Sequence, residues 1–156
     1  MMELILWRHA EAEEGDPDLA RALTPKGRRQ AQKMARWIKG QLPGAVRILA
    51  SPAVRTRETA DALELPYEIV AHIDPHASAD DLLAASGWPD GHGVVILVGH
   101  NPAISVLASR LAGAQESAVV LRRAAAWWYG ADTRTDGASP RLALKTVMTP
   151  SLLAPE

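Results

Sequence analysis

The sequence predicts an α/β fold, a three-layer α/β/α sandwich around a mostly parallel or mixed central sheet. Three observations predict it. Short apolar runs alternate along the chain with stretches of helical period. One run, Val94-Val95-Ile96-Leu97-Val98, is aliphatic throughout, as in a strand covered on both faces. Polar residues follow three of the runs directly: Arg8-His9, the stretch from Ser51 to Arg55, and Gly99-His100. In open α/β sheets, sites gather beyond the carboxyl ends of the strands.

Residues 3–7 read as a short buried strand, and the polar, Gly- and Pro-bearing stretch 11–17 reads as a loop, so Arg8 and His9 fall at a strand end. Thr24-Pro25-Lys26-Gly27 opens a helix with Thr24 as N-cap and Pro25 at its first position. Ala31, Met34, Ala35 and Ile38 form its apolar stripe, and it runs to about Gln41. A second strand spans 46–50, Ser51-Pro52 breaks it, and a helix over 53–63 places Arg55 in its first turn. The segment 64–75 is weakly patterned. Ser78 caps a helix over 79–85, whose N-terminus Asp80 and Asp81 favour. A surface turn over 87–93 leads into the aliphatic strand 94–98, and a helix follows over 104–111. Two later strands are expected over 124–129 and 142–147, separated by the polar stretch 132–140. Residues 1–150 are expected to form one domain, with 151–156 a loosely held C-terminal tail.

At 156 residues and 47% hydrophobic content the chain has the material for one core. Its 17 basic and 18 acidic side chains give a formal net charge of −1, which points neither to nucleic acid nor to an anionic membrane, so any basic site must be local. The absence of cysteine excludes disulfides, thiolate metal sites and a cysteine nucleophile. Only four apolar residues, Leu4 to Trp7, separate the first charges, too few for a signal-peptide core or a membrane span, and a cytoplasmic location is the resulting expectation.

If the three strand ends lie side by side, Arg8, His9, Arg55 and His100 converge. Two planar guanidinium forks then meet near two helix N-termini, a combination suited to the oxygens of a phosphate. Taken singly, each residue has a plain structural reading: a surface ion-pair partner for either arginine, a hydrogen-bonded strand-end residue for either histidine. It is the ordered set that argues for a site.

That set resembles the histidine phosphatase superfamily, whose members share a phosphoglycerate mutase-like fold. The resemblance rests on four stretches in order: Leu6-Trp7-Arg8-His9-Ala10-Glu11-Ala12, Leu23-Thr24-Pro25-Lys26-Gly27, Ser51-Pro52-Ala53-Val54-Arg55-Thr56-Arg57-Glu58-Thr59-Ala60, and Val98-Gly99-His100-Asn101-Pro102. It implies a phosphatase that needs no metal or other cofactor, with His9 as a nucleophile that becomes phosphohistidine and with Arg8, Arg55 and His100 binding the phosphoryl group. The short interval between Arg55 and His100 is similar to that of the branch of bacterial phosphohistidine phosphatases of SixA type. The expected partner is accordingly a phosphorylated substrate, including a phosphohistidine-bearing protein. A small-molecule phosphomonoesterase and a catalytically silent phosphohistidine-binding module are the alternatives, and the presence of His9 argues against the silent module.

Around this set, Arg21 is a further candidate phosphate contact, with a loop arginine as the plain reading. The resemblance leaves the proton donor open: larger members use a glutamate between the second arginine and second histidine, where this chain has His72-Ile73-Asp74-Pro75. His72, Asp74 and Glu11 are the candidates. His72, Asp74 and His76 also alternate in a pattern that could suggest a metal site, although Pro75 leaves its geometry undefined. Thr24 and Gly27 read as helix-start structure, His92 as surface, Arg122 and Arg123 as a charged strand start. Trp127 and Trp128, as neighbours on a strand, read as facing opposite sides of the sheet.

Overall fold

The structure is a computed structural model that describes residues 1–116, 118–132 and 141–155. Its strands are β1 (Met2–Arg8), β2 (Val46–Ala50), β3 (Glu68–Ile69), β4 (Gly93–Gly99), β5 (Ala126–Asp132) and β6 (Arg141–Met148). Its α-helices are α1 (Pro25–Gln41), α2 (Val54–Asp61), α3 (Ala79–Ser86) and α4 (Ala103–Leu111). One sheet holds all six strands in the order β3-β2-β4-β1-β5-β6. The β3, β2, β4 and β1 half is parallel, and β5 and β6 add antiparallel, so the central sheet is mixed.

The strands that carry the site are central, and their residue types explain this. Ile5 and Trp7 join Ile48, Ala50, Ile96 and Val98 in a core under α1 and α2, while Leu4, Leu6, Leu49, Val95 and Leu97 join a second core under α3 and α4. Strands apolar on both faces need helices on both faces, which yields the predicted three layers. Thr24 caps α1 as predicted, its hydroxyl accepting from the Gly27 amide at 2.9 Å. Ser78 caps α3 in a reciprocal box with Asp81. Gly27 also has a packing reason to be glycine: a Cβ there would stand 2.0 Å from the Glu11 carbonyl oxygen, so α1 could not approach the loop after β1 so closely.

Four details differ from expectation. The weakly patterned 64–75 segment contributes the edge strand β3, held by parallel pairing of Leu49 with Glu68 and Ala50 with Ile69. The turn after α3 tucks Trp88 inward, where it meets Tyr129 edge-on at 6.4 Å. The strand expected from 124 begins at Ala126, because Ala124 has φ 62° and ends a turn. Residues 150–152 form a 3-10 turn beside α1, with Pro150 buried and Leu153 packed on the core, so the segment expected as a loose tail is anchored at its start. Of the stretch 132–140, residues 133–140 lie outside the described residues. Trp127 and Trp128 face opposite sheet faces as expected: Trp128 meets Trp37 edge-on at 6.2 Å under α1, and Trp127 stacks on Tyr129. No described helix is long and apolar enough to cross a membrane.

Candidate active site

Backbone pairing brings the three strand ends together. Arg8 lies opposite Gly99 in the β1–β4 register, the His9 amide donates to the Gly99 carbonyl at 3.1 Å, and the Ser51 amide donates to the Val98 carbonyl at 3.2 Å. On the other side of β1, the Ala124 amide donates to the His9 carbonyl at 3.0 Å, and the turn 122–125 is thereby placed beside the site. His9 and His100 end with ring centroids 5.3 Å apart.

Arg8, His9, Arg21, Arg55 and His100 line one cavity of about 190 Å³, whose wall Ala12, Pro75, Asn101 and Arg123 complete. A water molecule occupies about 30 Å³ in the liquid, so this space has room for a phosphoryl group and a few atoms of whatever carries it. Each wall residue is held. The His9 Nδ1 lies 2.7 Å from the Ala10 carbonyl. A carbonyl can only accept, so Nδ1 carries the proton and Nε2 keeps the lone pair. The loop itself is pinned by the Ala10 amide, which donates to the Thr59 hydroxyl of α2 at 3.1 Å. Arg8 Nη1 donates to the Leu121 carbonyl at 3.0 Å. Arg55, 4% exposed, donates from Nη1 and Nη2 to the backbone carbonyl and carboxylate of Asp18 at 2.9 and 3.0 Å. Arg21 donates from Nε to the Glu13 carbonyl at 2.7 Å and pairs through Nη1 with Asp18 at 3.0 Å.

Electrostatics keep both rings neutral. Burial, followed by the charges of Arg8, Arg55 and Arg21, lowers the His9 pKa to about 4 despite the opposing pull of the Ala10 carbonyl. Burial, followed by His9 and then Arg55, lowers His100 to about 3. Hydrogen bonds from Arg21 and then Arg55 hold Asp18 below the usual carboxylate range.

The three candidate proton donors do not line the cavity. The Glu11 carboxylate accepts from the Thr24 hydroxyl at 2.8 Å and from Arg123 Nη1 at 3.3 Å, which turns it toward the start of α1. His72 is exposed, and Asp74 accepts from the His76 amide at 2.9 Å in a local turn; from that segment the cavity wall receives only Pro75. Among the described residues no group of three or more His, Asp or Glu lies close enough together to hold a metal ion, the His72, Asp74 and His76 set included.

Sequence reasoning missed four contributors. Asp18 engages two of the arginines at once. Ser51 Oγ lies 2.7 Å from His100 Nε2 and is fully buried. Asn101 reaches the cavity wall while its Nδ2 donates to the Leu121 carbonyl at 3.0 Å. Arg123 lines the cavity because residues 122–125 form a turn, not a strand start. Ser51 was within reach of the sequence, since it stands at the end of a strand adjacent to the one bearing His100. Asp18 and Arg123 carried no such signal.

A mixed sheet flanked by helices, with guanidinium groups and two neutral imidazoles around a cavity at its strand ends, defines a protein of the phosphate-handling class. Comparison with known proteins agrees. Residues 4–78 match the model of the histidine phosphatase superfamily, branch 1. The phosphohistidine phosphatase SixA homolog of Haemophilus influenzae is 33% identical over 128 residues, covering 72% of this chain and 78% of that protein. The phosphohistidine phosphatase SixA of Escherichia coli is 29% identical, covering 70% and 74%. A solved structure of a candidate phosphohistidine phosphatase SixA from Nakamurella multipartitia superposes with a TM-score of 0.78 at 26% identity, covering 96% of each chain. The chain belongs to the histidine phosphatase superfamily, in its SixA-type branch, and is a phosphatase.

Proposed function

We propose that this chain removes phosphate from phosphohistidine borne on a protein, with His9 as the nucleophile. The observation that carries the proposal is the His9 imidazole itself: neutral at physiological pH, protonated on Nδ1 by its bond to Ala10, and so presenting the Nε2 lone pair in a cavity walled by Arg8, Arg21 and Arg55. Nε2 attacks phosphorus, the bond from phosphorus to the substrate nitrogen breaks, and the departing imidazole takes a proton as it leaves neutral. Water then attacks the phosphohistidine formed on His9, releasing phosphate and returning the ring. In both steps the arginines and His100 hold the three equatorial oxygens over which charge is spread in the in-line transition state.

Two features favour phosphohistidine over an alkyl phosphate. An alkoxide leaves poorly without a general acid, which contributes about a hundredfold to ten-thousandfold. The carboxylate nearest the arginines, Asp18, is held ionised by them and is a poor acid. Imidazole, protonated on its far nitrogen from solvent, needs no such help. The cavity has room for the phosphoryl group and the atoms next to it and leaves the bulk of a protein substrate outside.

The reading is tested by comparing kcat/KM for a phosphohistidine protein with that for a panel of sugar, nucleotide and phosphoglycerate esters. Phosphohistidine should lead the alkyl phosphates by a hundredfold or more. Faster hydrolysis of one small phosphate ester would assign the chain to the small-molecule phosphomonoesterases, and no turnover of any substrate would make it a binding module.

A further inference from the structure

The catalytic cavity does not close at Arg8 and Arg123. Both residues also line an adjoining cleft of about 490 Å³, shared with Gln30, Arg122 and Pro150. Through Gln30, Pro150 and Ser151 this cleft runs on into a second of about 490 Å³, lined along α1 by Lys26, Arg29 and Lys33. The spacing of 26, 29, 30 and 33 puts these side chains on one face of the helix. No aspartate or glutamate among the described residues lines the cavity or either cleft. Lys26, Arg29, Lys33 and Arg122 form no ion pair among the described residues, whereas the neighbouring Arg28 is taken by Glu58 and Arg123 by Glu11. In a chain of formal net charge −1, a track of this kind is a local concentration of charge and not a reflection of composition.

We propose that this track docks an acidic stretch of polypeptide next to the phosphohistidine of the substrate protein. The inference rests on the phosphohistidine reading and adds what the substrate looks like around its phosphate. From Lys26 to Lys33 the helix face spans about 10 Å, room for roughly three extended residues. Several carboxylates can therefore engage it while the phosphoryl group sits in the cavity. Exposed ion pairs are weak one by one, each worth roughly one-and-a-half to fivefold in affinity, but three or four from the middle of that range together give tenfold or more. Because they are exposed, salt screens them. A second phosphate on a small polyanion is the competing occupant. The lengths favour polypeptide, since the track continues well past the reach of one added phosphate.

Two phosphohistidine peptides of equal length, one flanked by Asp and Glu and the other by Asn and Gln, test this against wild type and the double variant Arg29→Glu/Arg122→Glu. Wild type should prefer the acidic peptide at least tenfold in kcat/KM, through KM, with the preference shrinking as salt rises. The double variant should lose the preference while hydrolysing 4-nitrophenyl phosphate at the wild-type rate. A preference absent in wild type, or unchanged in the variant, overturns the proposal. So does inhibition by inorganic tripolyphosphate that the variant loses while its peptide preference persists, an outcome that assigns the track to small polyanions. If neither peptide is turned over, the phosphohistidine reading fails by itself. The track is then judged by fluorescence anisotropy with the labelled, unphosphorylated acidic peptide: binding to wild type but not to the variant upholds it, and equal or absent binding overturns it.

Discussion

Replacing Ser51 with alanine should cripple the phosphatase without unfolding it. Ser51 is fully buried, its Oγ accepts from the Ala53 amide at 3.3 Å, and it lies 2.7 Å from His100 Nε2. Among the described residues the hydroxyl proton has no acceptor other than Nε2, so the O–H donates to Nε2 and the imidazole proton resides on Nδ1. His100 Nδ1 is buried without a partner among the described residues, which leaves its N–H as a donor for a phosphoryl oxygen. Ser51→Ala leaves Nε2 and the Ala53 amide without a partner, a cost of about 1 to 3 kcal/mol in stability. It also frees the ring to move its proton to Nε2. If the Nδ1–H donor is used in the transition state, kcat/KM should fall about tenfold to a thousandfold, chiefly in kcat. Urea unfolding, steady-state kinetics on 4-nitrophenyl phosphate and the ring ¹⁵N shifts of His100 give the three readouts. Ser51→Cys, which keeps a weak donor, should recover part of the activity. A variant that is merely less stable, with kcat within twofold of wild type and unchanged His100 shifts, would refute the positioning role.

Gly27→Ala should destabilise the protein by several kcal/mol or prevent its folding, because the added methyl would stand 2.0 Å from the Glu11 backbone oxygen. Melting within a few degrees of wild type would contradict that packing. Stability should also fall with acid well before the carboxylates titrate. His9 and His100 are held neutral, with pKa values of about 4 and about 3, while the unfolded chain binds their protons near pH 6.5. The stability is therefore fully present above pH 7 and is lost as pH falls from 6.5 toward 4, by on the order of 2 kcal/mol per histidine at pH 5. His9→Gln and His100→Gln should each flatten the dependence measured by urea midpoints at pH 5 and 7.5, and a flat wild-type profile would refute it. Finally, substituting Glu11, His72 and Asp74 together by Gln, Ala and Asn should leave phosphohistidine turnover within about tenfold of wild type, since none of the three lines the cavity. Collapse on changing just one would identify a general acid.

The fold and the centre of the site were legible in the sequence for the same reason. A run such as Val94 to Val98, short, largely β-branched and bounded by glycines, reads as a doubly covered strand, and whatever follows parallel strands of this kind emerges at one edge of the sheet. Arg8, His9, Arg55 and His100 could therefore be placed together before any geometry was known. What sequence did not reveal depends on partners far away in the chain. The edge strand β3 is short and exposed on both residues, so no periodicity announces it; pairing with β2 makes it. Trp88 reads as part of a turn and is drawn inward by Tyr129. Asp18 earns its place through the fold of a loop that meets Arg55 from 37 residues away. Arg123 reaches the cavity through the left-handed turn at Ala124, a conformation that alanine does not advertise.

The central claim is that phosphate passes through His9. Wild-type protein mixed with ³²P-labelled phosphohistidine substrate and quenched in base within milliseconds should carry phosphate that survives alkali and is lost in acid. Peptide mapping should place it on His9, at Nε2 and not at the Nδ1 that the Ala10 carbonyl engages. His9→Ala should carry none and should turn over no substrate while keeping the wild-type circular dichroism. Label on His100 or on a serine, or near wild-type turnover by His9→Ala, would contradict the account.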